Sequence, residues 1–404
     1  MLGPVKSCAI TGVGLVSPLG VGYDALRVAL AAPAEGARDV FLHHPSLLHP
    51  DTLRAAPVAA ECYDFDAKQY LGDKGLRNFD RLTKMLIVSA KLALEHAGLK
   101  RDGVHVLSPD RVGLCSATAY GSLEAITEAA HVTELEDPRF LNPNRFPNTV
   151  INASAGYVSI WEDLRAPNIT VVDGNCGALD AVLSSETHLL YGRADAFVVG
   201  GGESLSDPLY LAFLKLDVLA DGERVFAPGS RESQGMRLGE GAAYVCIETE
   251  QCAQERGAHV RAHVVGYGNA FEPPESEAML VHVSSAAVDR AIHMALSDAG
   301  LTAKAIDVVA SAVSGIPHFD AAELAGIESA LGPNVAVAAP KALFGETFGA
   351  SGALAMACSL AWFDGVPVRP VVQGRLPASL SHVLVLAVGY YGNATAVILR
   401  RAGA

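Results

Sequence analysis

The side chain best placed to do covalent chemistry is Cys176. It lies in the segment Asn168–Gly202, NITVVDGNCGALDAVLSSETHLLYGRADAFVVGGG. A strand ends there at Val172, a polar turn Asp173–Asn175 follows, and a largely apolar helix begins near Cys176. A thiol at a helix N-terminus gains from the helix dipole, which favours the nucleophilic thiolate. The same cysteine also reads as a small buried residue at a helix start. Other polar candidates are weaker. His43, His44 and His49 sit in a Pro-flanked loop and read as solvent-exposed, with no metal site expected. Gly12-x-Gly14 follows a strand as a turn but lacks the third glycine of a dinucleotide fingerprint. The cysteines Cys8, Cys62, Cys115, Cys176, Cys246, Cys252 and Cys358 show no paired spacing. That pattern suits a reduced cytoplasmic chain and argues against a disulfide framework or a zinc centre.

The elements that must position Cys176 alternate strand and helix. Ser7–Val13, Arg111–Ala117, Asn168–Asp173, Ala194–Gly201 and Ala242–Glu248 read as strands. Tyr23–Ala32, Phe79–Ala97, Leu123–Val132, Gly177–Tyr191 and Glu250–Arg256 read as helices. In Phe79–Ala97, Leu82, Leu86, Ala90, Ala93 and Ala97 recur every three or four residues, and Gly98 stops the helix. The rhythm then repeats. Strands are expected at Arg261–Gly268, Val308–Val313, Val335–Ala339, Val383–Val388 and Thr395–Leu399. Helices are expected at Val283–Ala299, Ala321–Leu331 and Ser351–Trp362. Ala97–Leu99 and Ala299–Leu301 both read AGL and end corresponding helices. This predicts an α/β chain of two similar halves, 1–256 and 257–404, with two stacked sheets; two unrelated α/β domains are the alternative.

Composition sets the outer bounds. The 404 residues are 50% apolar and 18% charged, with few aromatics, which excludes a disordered chain and suits aliphatic buried sheets. No apolar run approaches the roughly 20 residues of a membrane span. The apolar N-terminus, with only Lys6 before it, reads as a first strand in preference to a signal peptide. The formal charge of −14 argues against nucleic acid and anionic membranes as partners.

Five blocks carry a resemblance: AITGVGLVSPLG (Ala9–Gly20), FDRLTKMLIVSAKLALEHAGL (Phe79–Leu99), GRADAFVVGGGES (Gly192–Ser204), LGEGAAYVCIE (Leu238–Glu248) and FGASGA (Phe348–Ala353). In this order they resemble the β-ketoacyl synthase family over nearly the whole chain. The resemblance implies the thiolase-like fold, duplicated α/β halves in a five-layered α-β-α-β-α stack, and a tight dimer. It also implies a catalytic Cys and two His residues, the latter stabilising an enolate oxygen.

Transferred to this chain, that triad is altered. Counting back from Asp320, the first His position falls on Ala312, or on Val313 with a one-residue gap. The second, after Lys341, is Glu346, whose carboxylate would repel an enolate; pairing with Lys341 is its structural reading. Counting forward from Thr170–Val172 puts Cys176 at the nucleophile position. Counting back from Leu179-Asp180 and from Gly192–Asp195 puts Asn175 there, and a helix turns about 100° per residue, so only one of them faces the pocket. Two anchors agree on Asn175. An amide at that place, followed by Gly177–Val182, resembles the chain length factors, or ketosynthase β subunits, of type II polyketide synthases. The gating loop reads Gly389-Tyr390-Tyr391-Gly392, with Tyr391 bulky where a thioester needs close backbone approach. The family's Arg upstream of Leu238–Gly241 is Ser233. His318, in the altered loop, is a weak polar candidate.

By this resemblance the leading expectation is a non-catalytic partner. It would complete a heterodimer with an active ketosynthase, wall off that partner's acyl tunnel and control the length of a polyketide acyl chain. Thr118, Ile126, Glu128, Val132 and Tyr157 are the candidates for the interface and for chain length. No cofactor is implied. Acyl carrier proteins are acidic, so the −14 chain is a poor dock by net charge, and the carrier protein is expected chiefly on the partner. The alternative is an active β-ketoacyl-ACP synthase using Cys176, with His318 and Glu346 as substitute acid–base groups. An acyl-binding homodimer is the non-enzymatic fallback.

Overall fold

The computed structural model describes residues 8–33, 39–276 and 281–404. Lys6 and Ser7 lie outside the described residues. The first half contains β1 (Cys8–Ser17), α1 (Tyr23–Ala31), α2 (Arg81–His96), β2 (Val112–Ala117), α3 (Leu123–Leu135), α4 (Ala153–Glu162), β3 (Asn168–Val171), α5 (Gly177–Leu190), β4 (Ala196–Glu203), α6 (Asp207–Lys215) and β5 (Gly241–Thr249). The second contains β6 (Ala262–Phe271), α7 (Ser285–Ala299), β7 (Val308–Ala310), α8 (Pro317–Leu331), β8 (Ala336–Ala338), α9 (Ser351–Phe363), β9 (Val371–Gln373), β10 (His382–Val388) and β11 (Asn393–Arg401).

Strand order states the duplication. The first half runs β1-β5-β4-β2-β3, and the second β6-β11-β10-β7-β8. In each, the first two pairings are antiparallel and the last two parallel. β9 adds an antiparallel edge to β8. Cys8–Ile10 of β1 pair with Ala262–Val264 of β6 and join the two sheets.

The strands are apolar on both faces, as a covered sheet requires. In β4, Phe197 and Val199 face one core while Ala196 and Val198 face another. In β10, Val383 and Val385 point to the first core and Leu384 and Leu386 to a third. The shared core holds α5 and α9 between the sheets. Every residue of α9 is buried, the pattern of a helix apolar all round. The outer layers are α2 with α4, and α7 with α8. The order is therefore α-β-α-β-α.

One expectation is corrected. Gly12 and Gly14 form no turn; they lie within β1, which continues to Ser17. A Cβ on Gly12 would fall 2.5 Å from the Ala93 carbonyl oxygen, and one on Gly14 2.3 Å from that of Ser89, so α2 crosses the strand at backbone contact. Gly266 and Gly268 of β6 meet α7 in the same way, at 2.4 Å from the Ala295 oxygen and 2.1 Å from that of Ala291. The glycine pairs are a second signature of duplication, beside the two AGL helix ends. Asp80 caps α2 by accepting from Thr83 N–H at 2.7 Å, which starts that helix two residues after Phe79. Among the described residues no helix is long and apolar enough to cross a membrane.

Candidate functional site

Three connections leave the C-terminal ends of parallel strands and converge: β3 to α5, β7 to α8, and β8 to α9 through the short helix Lys341–Phe344. In α/β sheets that end of the strands is where ligands and chemistry collect. The turn between β10 and β11, Gly389–Gly392, closes over them.

Glu346 is the centre of this convergence. Gly345 before it has φ +74°, and a Cβ there would lie 2.8 Å from the Arg237 oxygen, so glycine is required. Glu346 N–H then donates to the Arg237 carbonyl at 2.8 Å, and its own carbonyl accepts from Gly239 N–H at 2.9 Å. The carboxylate is fully taken up. Oε1 accepts from Phe348 N–H and the Ser351 hydroxyl, both at 2.9 Å. Oε2 accepts from the Lys341 ammonium at 2.6 Å, the Tyr390 hydroxyl at 2.6 Å and the Asn175 amide at 3.2 Å. Burial alone would raise this carboxyl's pKa, but Lys341 and the hydrogen bonds outweigh it and hold the group below its usual value. An ionised carboxylate with five donors has no free lone pair with which to take a proton from a substrate.

The two candidates for the nucleophile position point in different directions. Asn175 and Cys176 are adjacent in a 3₁₀ turn, both buried. The Asn175 side chain points to Glu346. The Cys176 thiol points into the central core, donating to the Ala387 carbonyl at 3.5 Å. Burial, with Asp180 and Asp173 nearby, pushes that thiol well above its ordinary pKa, opposite to what a nucleophile needs.

The β7–α8 loop carries no donor side chain where the first His was sought. Val313 is fully buried, and Ala312 offers only its backbone N–H, held by Glu323 Oε1 at 2.6 Å. Burial pushes Glu323 up to about 8, so it is protonated at neutral pH. Asp320 ties the loop down through the N–H groups of Ser314 (2.8 Å), Gly315 (3.0 Å) and Gly229 (2.7 Å). Ser233 is buried against Gly315 and accepts from Ala227 N–H at 3.2 Å. His318 is exposed and packs on Phe319.

The gating loop needs a correction. Tyr391, expected to fill the pocket, is exposed; Tyr390 turns inward to Glu346 and packs against Phe319. Neighbouring residues in a tight turn point opposite ways, so the bulk that fills the site comes from the first tyrosine. His43 and His44 are exposed as expected, and His49 pairs with Asp207 at 2.9 Å.

The interface candidates separate. Thr118 is interior, donating to Glu203 and accepting from Gly121 N–H, both at 3.0 Å, which corrects its placement on a partner-facing surface. Tyr157 also turns inward, its ring 4.8 Å from that of Phe79. Ile126 is exposed on α3, Glu128 pairs with Arg145 at 2.9 Å, and Val132 is half-buried. Four of the exposed apolar residues that sequence reasoning passed over lie next to β3 or on the helices that pack against it, and among the described residues no strand pairs beyond β3. They are Ile160 on α4 (78% exposed), Val172 after β3 (50%), and Leu183 and Leu190 on α5. For the three on helices the signal was present, as apolar residues out of step with each helix's buried face. One surface pocket gathers Lys68, Arg77, Arg81 and Lys84 with Asp66 and Asp73; Arg81 pairs with Glu240 at 2.6 Å and Lys68 lies 4.0 Å from Asp73.

Comparison with known proteins identifies the family. Residues 6–253 match the model of the β-ketoacyl synthase N-terminal domain, and residues 261–370 that of the C-terminal domain. The chain is 31% identical to a 3-oxoacyl-[acyl-carrier-protein] synthase 2 of Vibrio cholerae over 86% of its length and 84% of that protein. It is also 31% identical to a putative polyketide β-ketoacyl synthase 2 of Streptomyces coelicolor, over 99% of this chain and 96% of that one. Among solved structures, the ishigamide ketosynthase/chain length factor superposes with a TM-score of 0.83 at 22% identity, covering 98% of this chain and all of that one. With the fold and both halves matched, the chain belongs to the β-ketoacyl synthase family.

Proposed function

We propose that this chain is the non-catalytic member of a ketosynthase pair, a chain length factor of a type II polyketide synthase. It completes a heterodimer with an active ketosynthase and sets the length of the polyketide acyl chain in the partner's tunnel. The observation that carries this reading is the Asn175–Glu346–Lys341–Tyr390 network. An amide occupies the nucleophile's place, and a saturated carboxylate occupies that of an enolate-stabilising donor. The unpaired edge of β3, with Ile160, Val172, Leu183 and Leu190 around it, supports a partner docked on that edge, since such edges are normally covered. Ile126 and Val132 on α3 are the side chains we assign to the partner's tunnel.

The acyl carrier protein reaches the complex chiefly through the partner. The pocket that holds Lys68, Arg77, Arg81 and Lys84, which Asp66 and Asp73 also line, is one place where an acidic carrier could touch this chain. We take the division at 256/257 as the boundary between halves, supported by the repeated strand order. We place the complex in the cytoplasm, in keeping with seven unpaired cysteines.

The test is co-expression with a ketosynthase encoded beside this chain. A 1:1 complex that makes product, with neither protein active alone, is expected. Product formation by this chain alone overturns the reading.

A further inference from the structure

Among the described residues, Arg54, Asp102, Asp163, Asp217 and Phe348 are the non-glycine residues with positive φ. The first four are polar and none of them is buried. Phe348, at φ +42°, is aromatic and fully buried. The left-handed region crowds the Cβ of an L-residue against the following carbonyl, so a bulky side chain stays there only where its surroundings impose it.

Two constraints impose it here. Phe348 N–H donates to Glu346 Oε1 at 2.9 Å. The next residue, Gly349, is pressed between two segments. A Cβ on Gly349 would fall 2.6 Å from Thr118 Cα, and one on Gly201 of β4 would fall 2.5 Å from the Gly349 oxygen. With the backbone fixed in this way, the Phe348 ring stacks on Phe213 of α6, with centroids 5.0 Å apart, and meets Tyr120 edge-on at 5.2 Å. Tyr120 and Phe213 are 6.3 Å apart and close a three-ring cluster.

The cluster stands at the root of α3. Of the residues of α3 only Ala125 is buried, so this helix has little core of its own. It packs on α6 and on the turns Pro138–Phe140 and Phe146–Thr149. Its entry is held by the residues before it. The Thr118 hydroxyl and Ala119 N–H donate to Glu203 at 3.0 and 2.7 Å. Tyr120 leans on Phe348, and the Ser122 hydroxyl caps the helix by accepting from Ala125 N–H at 3.4 Å. Ile126 follows about one turn after that cap.

We propose that Phe348 is a positioning residue for chain-length control: a strained aromatic wedge, locked by Glu346, that fixes how α3 leaves Tyr120 and so where Ile126 and Val132 stand in the partner's tunnel. The chain-length role rests on the function proposed above, whereas the wedge rests on this chain alone.

Amide hydrogen exchange on the isolated full chain tests the wedge. In Phe348→Ala, residues 121–128 should exchange about tenfold faster than in the wild type, the loss expected for an aromatic pairing. Phe197→Ala, which removes an equally buried ring from the start of β4, should not single out that segment. Phe348→Gly also loses the ring, but it should fold about fivefold more favourably than Phe348→Ala, because glycine carries no penalty at this φ. Unchanged exchange at 121–128 in Phe348→Ala, or an alanine variant as stable as the glycine variant, would overturn the proposal. In the reconstituted complex, Phe348→Ala should shift the products toward longer chains, read by mass spectrometry as a ratio of lengths and not as yield. Retention of the wild-type ratio refutes the chain-length role. Failure of the pairing itself would show in the wild type, as product from this chain alone, and is thereby told apart from failure at Phe348. If Phe348→Ala does not fold, Phe348→Leu serves. It keeps apolar bulk and loses the edge-on ring contact, so faster exchange at 121–128 supports the wedge and unchanged exchange refutes it.

Discussion

Replacing Glu346 with Gln removes one charge from the buried Lys341–Glu346 ion pair of the candidate site. The Glu346 side chain is 0% exposed and that of Lys341 6%. Glutamine fills the same volume, so no cavity term enters. Two costs remain. The Lys341 ammonium loses its counter-charge in a buried site. The new amide's NH₂ must also take the place of an oxygen that accepts, so the Tyr390 or Ser351 hydroxyl has to turn and accept from it while Lys341 and Phe348 N–H can only donate. Removing one partner of a buried pair costs about 3–5 kcal/mol. The double variant Glu346→Leu with Lys341→Met removes both charges and should recover at least half of that loss. Urea unfolding of the three proteins at pH 7 measures both numbers. Because Glu346 titrates below its usual value when folded, its contribution is present above about pH 4.5 and lost as pH falls through the folded value. The Glu346→Gln defect should therefore shrink in acid. A Glu346→Gln protein within about 1 kcal/mol of wild type at pH 7 would refute the account of a saturated, charged network.

Three further outcomes follow from the same geometry. Val172→Asp places a charge on the exposed end of the β3 edge and should abolish co-purification with the ketosynthase while leaving the melting temperature of this chain unchanged. Ile126→Trp on α3 should shorten the product of the reconstituted complex, read by mass spectrometry; unchanged chain length removes Ile126 from the tunnel. Cys176→Ala should cost about 1 kcal/mol for the lost thiol packing and leave product formation by the complex intact.

The fold was legible because its signals are local and repeated. Apolar runs alternated with helical periodicity, the AGL ends marked corresponding helices, and five blocks carried the family. The substitutions at Ala312 and Glu346 were legible too, since they change residue type at anchored positions. Direction was not. Asn175 and Cys176, or Tyr390 and Tyr391, differ by one residue along the chain, and only the folded turns decide which faces the pocket. The Gly12 and Gly14 pair looked like a turn because sequence carries no record of the helix that crosses it. The Tyr390–Glu346 and Asp180–Thr395 contacts join residues far apart in the chain, so no spacing rule finds them. Thr118 was placed at the interface by resemblance, which carries no record that its hydroxyl is committed to buried Glu203.

The central claim is that acyl transfer occurs on the partner and never on this chain. Intact-protein mass spectrometry of the purified complex, incubated with an acyl-carrier-protein thioester, tests it directly. The account predicts an acyl adduct on the ketosynthase subunit and an unmodified mass for this chain, in the wild type and in Cys176→Ala alike. An acyl adduct on this chain that disappears in Cys176→Ala would contradict it.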